Sequence, residues 1–81
     1  MEIKDLFPLD IEVSQEIIDN SDIHSSTNCI GANLLRSIVP EEYKDEVYWG
    51  FYAGSIDYIS IRSDINMTRI KKPTVVKLEL I

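Results

Sequence analysis

Glu46-Val47-Tyr48-Trp49-Gly50-Phe51-Tyr52-Ala53-Gly54-Ser55-Ile56-Asp57-Tyr58-Ile59-Ser60-Ile61-Arg62 decides the fold, because the hydrophobic period of the chain changes there from 3.6 to 2. Alternation and aromatic content predict a strand over Glu46–Ala53. Gly54-Ser55 reads as a tight hairpin turn, and Ile56–Arg62 as the partner strand with Ile59 and Ile61 on one face. In the first strand Val47, Trp49 and Phe51 point one way, and Tyr48, Gly50 and Tyr52 the other. That strand is apolar on both faces, whereas helices packed on one side of a sheet cover only one. The second face therefore calls for a partner, and a homo-oligomer is expected.

Upstream, the pattern is helical. Ile30, Leu34, Leu35, Ile38 and Val39 form one stripe of a helix spanning about Asn28–Val39, which Pro40 stops. Gly31 lies inside that stripe. It costs a helix about 1 kcal/mol against alanine, so it marks a close approach to a strand. Glu41–Lys44 forms a single turn. Nearer the N-terminus, Leu9, Ile11 and Val13 alternate with Asp10, Glu12 and Ser14, which predicts a half-buried strand with an acidic face. Ser14 then caps a short helix carrying Ile17 and Ile18, ended by Asn20-Ser21-Asp22. Downstream, Ser63–Asn66 is a looser turn. Met67–Pro73 reads either as a loop or as a short edge strand limited by Pro73. Thr74–Ile81 is a last strand with Val76, Leu78 and Leu80 inward. The order is β-α-α-β-β-(β)-β: an α+β fold, a small antiparallel-rich sheet with two helices on one face.

Length and composition narrow the function. Eighty-one residues make one domain with a small core. A single cysteine forms no internal disulfide, and no Cys/His set has zinc spacing, so no metal or cofactor is expected. The N-terminus carries Glu2 and Asp5 rather than a signal peptide, and no apolar run is long enough to span a bilayer. A cytoplasmic setting without membrane contact follows. The net charge of −6 is uneven: residues 1–46 hold eleven acids and three bases (−8), and residues 47–81 three acids and five bases (+2). The overall field opposes direct nucleic-acid binding and favours a basic protein partner or plain solubility.

Residues 9–62 carry a resemblance. A strand leads into Val13-Ser14-Gln15-Glu16-Ile17-Ile18, a polar loop leads to Cys29-Ile30-Gly31-Ala32, and a helix and a hairpin follow. This resembles small phage and mobile-element proteins that pair V-[ST]-x-E-D-I with a C-P-I-A-x-A-L helix start. Ile30-Gly31 stands where that pattern has Pro-Ile. The resemblance implies a phage-like accessory protein, and hence a host-cell cytoplasm, but brings no function with it.

Four features are candidates for chemistry. Cys29 falls opposite the apolar stripe of its helix, where a helix N-terminus lowers a thiol's pKa, and His24 is the sole imidazole nearby. With no oxyanion or acid partner in view, an enzyme is not expected. Ser25, Ser26, Thr27 and Asn28 crowd the same helix start and could hold a phosphate with Asn33 and Arg36, or simply cap the helix. Six of the seven aromatic residues lie between Tyr43 and Tyr58. Tyr48 and Tyr52 flank Gly50, leaving a slot for a planar ring, with Arg62, Arg69, Lys71 and Lys72 placed to take phosphates. Finally, Asp10, Glu12, Glu16, Asp19 and Asp22 could mimic a phosphate backbone.

Two functions follow. In the first, a non-enzymatic oligomer sequesters a small nucleotide-like or phosphorylated signal, countering host defence. In the second, an acidic inhibitor occupies a basic host protein such as a nuclease.

Overall fold

A computed structural model describes residues 2–81. Alternation along Leu9–Val13 yields strand β1, with Val13 buried and Asp10 and Glu12 exposed. Ser14 ends it by capping helix α1 (Gln15–Asp19): its hydroxyl accepts from the Ile17 N–H at 3.2 Å. Helix α2 (Ile30–Arg36) follows, then a 3-10 segment over Glu41–Glu46. The remaining strands are β2 (Val47–Trp49), β3 (Ala53–Ile56), β4 (Ile59–Ser63) and β5 (Thr74–Leu80). They form one five-stranded sheet in the order β1-β5-β4-β3-β2, antiparallel throughout. The fold is α+β, as the change of period implies.

The core lies between the sheet and α2. Ile30, Ala32, Leu34 and Leu35 meet Val47, Trp49, Ile56, Ile61, Val76 and Leu78. Helix α2 is shorter than its apolar stripe. It begins two residues after Asn28, and Ser37 caps its C-terminus. The stripe beyond it continues as a turn that buries Val39 before Pro40.

The hairpin region differs from its sequence reading. Gly54-Ser55 is not a turn but the middle of β3, paired with Ile61 and Ser60. Two tight turns flank it. Gly50 donates to the Ala53 carbonyl at 2.8 Å, which puts Phe51 and Tyr52 at the tip joining β2 to β3. Asp57 and Tyr58, at φ of 49° and 66°, form the tip joining β3 to β4. Both residues in the left-handed region make the two-residue turn whose twist matches the strands.

The glycine misleads because its role here is steric, not conformational. No described glycine has positive φ. A Cβ on Gly54 would lie 2.3 Å from the Tyr48 carbonyl oxygen and 2.5 Å from Trp49 Cε3. A Cβ on Gly31 would lie 2.2 Å from Trp49 Cγ. The Trp49 indole therefore sits against α2 and β3 where two side chains are missing. The expected close approach at Gly31 is this contact.

Two further expectations change. Phe51 leaves the row of Val47 and Trp49 and is 65% exposed at its turn. The strand ends at Trp49, so of its second-face residues only Tyr48 remains in it. The outer face carries Tyr48, Val75 and Ile81 among Ser55, Ser60, Lys77 and an Arg62–Glu79 ion pair of 3.1 Å. Met67–Pro73 is not an edge strand. Met67–Arg69 is a 3-10 turn capped by Asn66, whose Oδ1 accepts from the Thr68 N–H at 2.9 Å. Met67 and Ile70 bury inward and hold the segment down.

Gly31→Ala tests the packing of the indole. Helix propensity alone predicts about 1 kcal/mol of stabilisation. The steric conflict predicts a net loss of about 1–3 kcal/mol in urea denaturation. The conflict is expected to win, and Gly54→Ala should lose a similar amount. Gly50→Ala, whose Cβ meets only the Ala53 carbonyl at 3.4 Å, should be close to neutral. Tyr58→Gly should gain about 1 kcal/mol by removing a side chain from the left-handed region.

Candidate functional site

The polar run before α2 is spent on its own loop. Ser25 Oγ accepts from the N–H groups of Thr27 (3.3 Å) and Asn28 (3.0 Å). The Asp22 N–H donates to the Asn28 carbonyl at 2.9 Å, and the Asp22 carboxylate accepts from the His24 N–H at 2.9 Å. Asn33 Nδ2 donates to Ser21 Oγ at 3.0 Å and to the Asn28 side chain at 3.3 Å. Arg36 donates to the Thr27 carbonyl and to Asn33 Oδ1. Ser25, Asn28, Asn33 and Arg36 thus form a clasp between the loop and the helix. None of the four hydroxyl or amide residues caps α2. Its N-cap is Cys29, whose side chain makes no cap bond.

Cys29 is also placed differently from its helical-wheel position. As an N-cap it has extended backbone geometry and turns its thiol inward, 5% exposed. The thiol donates to the Trp49 carbonyl at 3.8 Å, and the Trp49 N–H donates to the Ser26 carbonyl at 2.8 Å. Residues 26–29 therefore cover the Trp49 end of the outer edge of β2.

The loop and the aromatic hairpin do adjoin. Ile23, His24, Ser25 and Ser26 share a shallow cleft of about 180 Å³ with Gly50 and Phe51. Asn33, Arg36, Tyr48 and Tyr52 do not line it.

A larger groove, of about 740 Å³, lies beside Tyr52. Its volume falls in the ~300–1,000 Å³ range of small-molecule sites. Ile65 and Ile70 supply apolar lining, and Arg69, Lys71 and Lys72 supply positive charge. The one carboxylate there, Asp64, accepts from the Lys77 N–H at 3.0 Å. Among the described residues, Arg69, Lys71 and Lys72 form no ion pair. Tyr52 is held by its backbone: its carbonyl accepts from the Ser63 N–H at 2.7 Å and from the Ser63 hydroxyl at 3.3 Å. The neighbouring Phe51 carbonyl accepts from the Met67 N–H at 2.9 Å and from the Trp49 indole at 3.3 Å.

The ten ligand-contact residues read from sequence are therefore divided. Tyr52 and Arg69 meet in the groove with Lys71 and Lys72. Arg62 bonds Glu79 on the outer sheet face, and Tyr48 lies on that same face opposite Ser55. Ser25, Ser26, Thr27, Asn28, Asn33 and Arg36 belong to the loop and its clasp. Gly50 does not bring Tyr48 and Tyr52 into one slot, because the turn at Phe51-Tyr52 intervenes. Sequence reasoning missed Asp64, Ile65, Asn66, Ile70 and Thr74, which complete the groove. Their signal is weak, since a loop of mixed polarity has no period.

The acidic residues are divided as well. Asp10 and Glu12 lie on the outer sheet face, whereas Glu16 and Asp19 ride on α1, which packs against α2. Among the described residues no group of three or more His, Cys, Asp or Glu side chains could hold a metal, and no helix is long and apolar enough to cross a membrane. Comparison with protein families, with characterised proteins and with solved structures finds no match to this chain.

The burial of Cys29 sets its reactivity. Native protein should react with a thiol-specific disulfide reagent only as fast as it opens. The rate should be at least about 100-fold below that in urea, the factor for an opening that costs about 3 kcal/mol. Rapid native labelling would show an accessible thiol instead.

Proposed function

We propose that the protein is a non-enzymatic binding protein whose groove takes a small anionic ligand bearing a planar ring, such as a nucleoside phosphate. The observation that carries this reading is the meeting of Tyr52, in a groove of ligand size, with three cations that lack ion-pair partners among the described residues. A ring stacks on the tyrosine and is held by dispersion and apolar contact with Ile65 and Ile70. A phosphate then faces Arg69, whose guanidinium matches it in a bidentate manner, with Lys71 and Lys72 as point charges. The chain is acidic overall, so this local reversal of sign selects a small anion rather than a long polyanion.

The test is equilibrium binding to a panel of nucleoside mono- and diphosphates, with free nucleosides and inorganic phosphate as separate arms. A nucleoside phosphate should bind more tightly than either half, and binding should weaken as salt rises. Tyr52→Ala should weaken it by about tenfold, from the ~1–3 kcal/mol of base stacking. Arg69→Ala should weaken it by at least as much. Arg62→Ala should leave it unchanged, because Arg62 pairs with Glu79 away from the groove. If the panel fails to bind and heat-denatured protein releases no small molecule, the reading is wrong.

A further inference from the structure

Among the described residues, the two edges of the sheet differ at their ends: β2 is covered at Trp49 and open at Val47, and β1 is open along Asp10–Glu12. At β2 the outward backbone groups of Trp49 are taken by the Ser26 carbonyl and the Cys29 thiol. At β1 the direction of the backbone groups follows from the ladder. Asp64 donates to the Lys77 carbonyl and Ile81 to the Ser60 carbonyl, each at 3.2 Å, so the odd residues of β5 turn their N–H and C=O groups toward β4. Val76 and Leu78 therefore turn theirs toward β1, where they face Ile11 and Leu9. Asp10 and Glu12 are left with N–H and C=O groups pointing away from the sheet. Among the described residues nothing bonds to them.

We propose that this edge is a docking site for an extended segment of a basic partner protein, which adds to the sheet as a sixth strand beside β1. Backbone pairing with Asp10 and Glu12 supplies the ladder, and the side chains select the partner. On the outer face, Asp10 and Glu12 are exposed and form no ion pair among the described residues. Lysine or arginine at alternate positions of the added strand lies beside them. On the inner face, Leu9 and Ile11 are only half-buried. An apolar residue between the two basic ones lies beside Ile11 and completes its burial. The occupant is thus basic–apolar–basic in alternation. A second copy of this chain does not fit, because antiparallel pairing about Ile11 places Asp10 opposite the other copy's Glu12, and like charges directly opposite are destabilising. This surface uses none of the groove residues, so it stands or falls apart from the groove reading.

The probe is a blocked peptide of alternating lysine and valine, with a peptide of the same composition in scrambled order as control. The readout is amide hydrogen exchange of the intact protein, residue by residue, alongside affinity. The alternating peptide should slow exchange at the Asp10 and Glu12 amides and bind about tenfold tighter than the scrambled one. Glu12→Pro removes an outward N–H and spares the bonds to β5, so it should abolish protection of the remaining Asp10 amide while circular dichroism stays unchanged. Should that variant not fold, Asp10→Lys with Glu12→Lys replaces it. The double change should lose the lysine–valine peptide and gain a glutamate–valine one. Peptide binding without protection of the two amides, or binding indifferent to residue order, overturns the proposal. So does protection of the same amides by the free protein at rising concentration, since a second copy would then be the occupant.

Discussion

The Trp49 indole packed against Gly31 and Gly54 is the contact on which the rest depends. An aromatic side chain of this size fills the gap between α2 and the sheet only if both neighbours lack a Cβ. Its burial, to 2% exposure, fixes the distance of α2 from β2 and β3. The same residue organises the chain around it through polar atoms. Its N–H and carbonyl tie residues 26–29 to the edge of β2, and its indole N–H holds the Phe51 carbonyl. One side chain thus sets the helix, the covered end of that edge and the turn that presents Phe51 and Tyr52.

Charge is distributed to match. The acidic half of the chain supplies β1 and α1, and the basic half supplies the segment between β4 and β5. The open edge of β1 is therefore negative, whereas the groove beside Tyr52 is positive. An acidic molecule holds three cations, unpaired among the described residues, around one groove against a general bias of opposite sign. The outer sheet face mixes exposed Tyr48, Val75 and Ile81 with polar side chains and the Arg62–Glu79 pair. The groove and the β1 edge, among the described residues, both keep unmet bonding capacity.

Much of this was legible in the residues. The alternation in β1 and β5, the cap at Ser14, the apolar stripe of α2 and the stop at Pro40 depend on neighbours within a few positions. The spacing that produces them is visible in the chain. Gly54 was legible as special but not for the right reason. Glycine marks a turn when its φ must be positive, and it marks a close approach when a partner needs the space, and nothing local distinguishes the two. The turn at Asp57-Tyr58 carries no glycine, so the usual turn signal was absent where the turn occurs. Cys29 faces inward because it caps the helix in extended geometry. A helical wheel assigns it the opposite face.

The candidate site divides along the same line. Its charge and its aromatic character were present in Tyr52, Arg69, Lys71 and Lys72, which composition and clustering single out. Their grouping was not, nor was the separation of Arg62, Arg36 and the Ser25–Asn28 loop from them. Period and polarity determine which residues turn inward along an element, and these are properties of neighbours in sequence. Which elements stand beside one another is set by the fit of Trp49 against two glycines, respectively 18 and five positions away from it. That fit is a matter of volume in three dimensions, and the bonds of the Phe51 and Tyr52 carbonyls to Met67 and Ser63, likewise distant in sequence, place Tyr52 beside the β4–β5 connection.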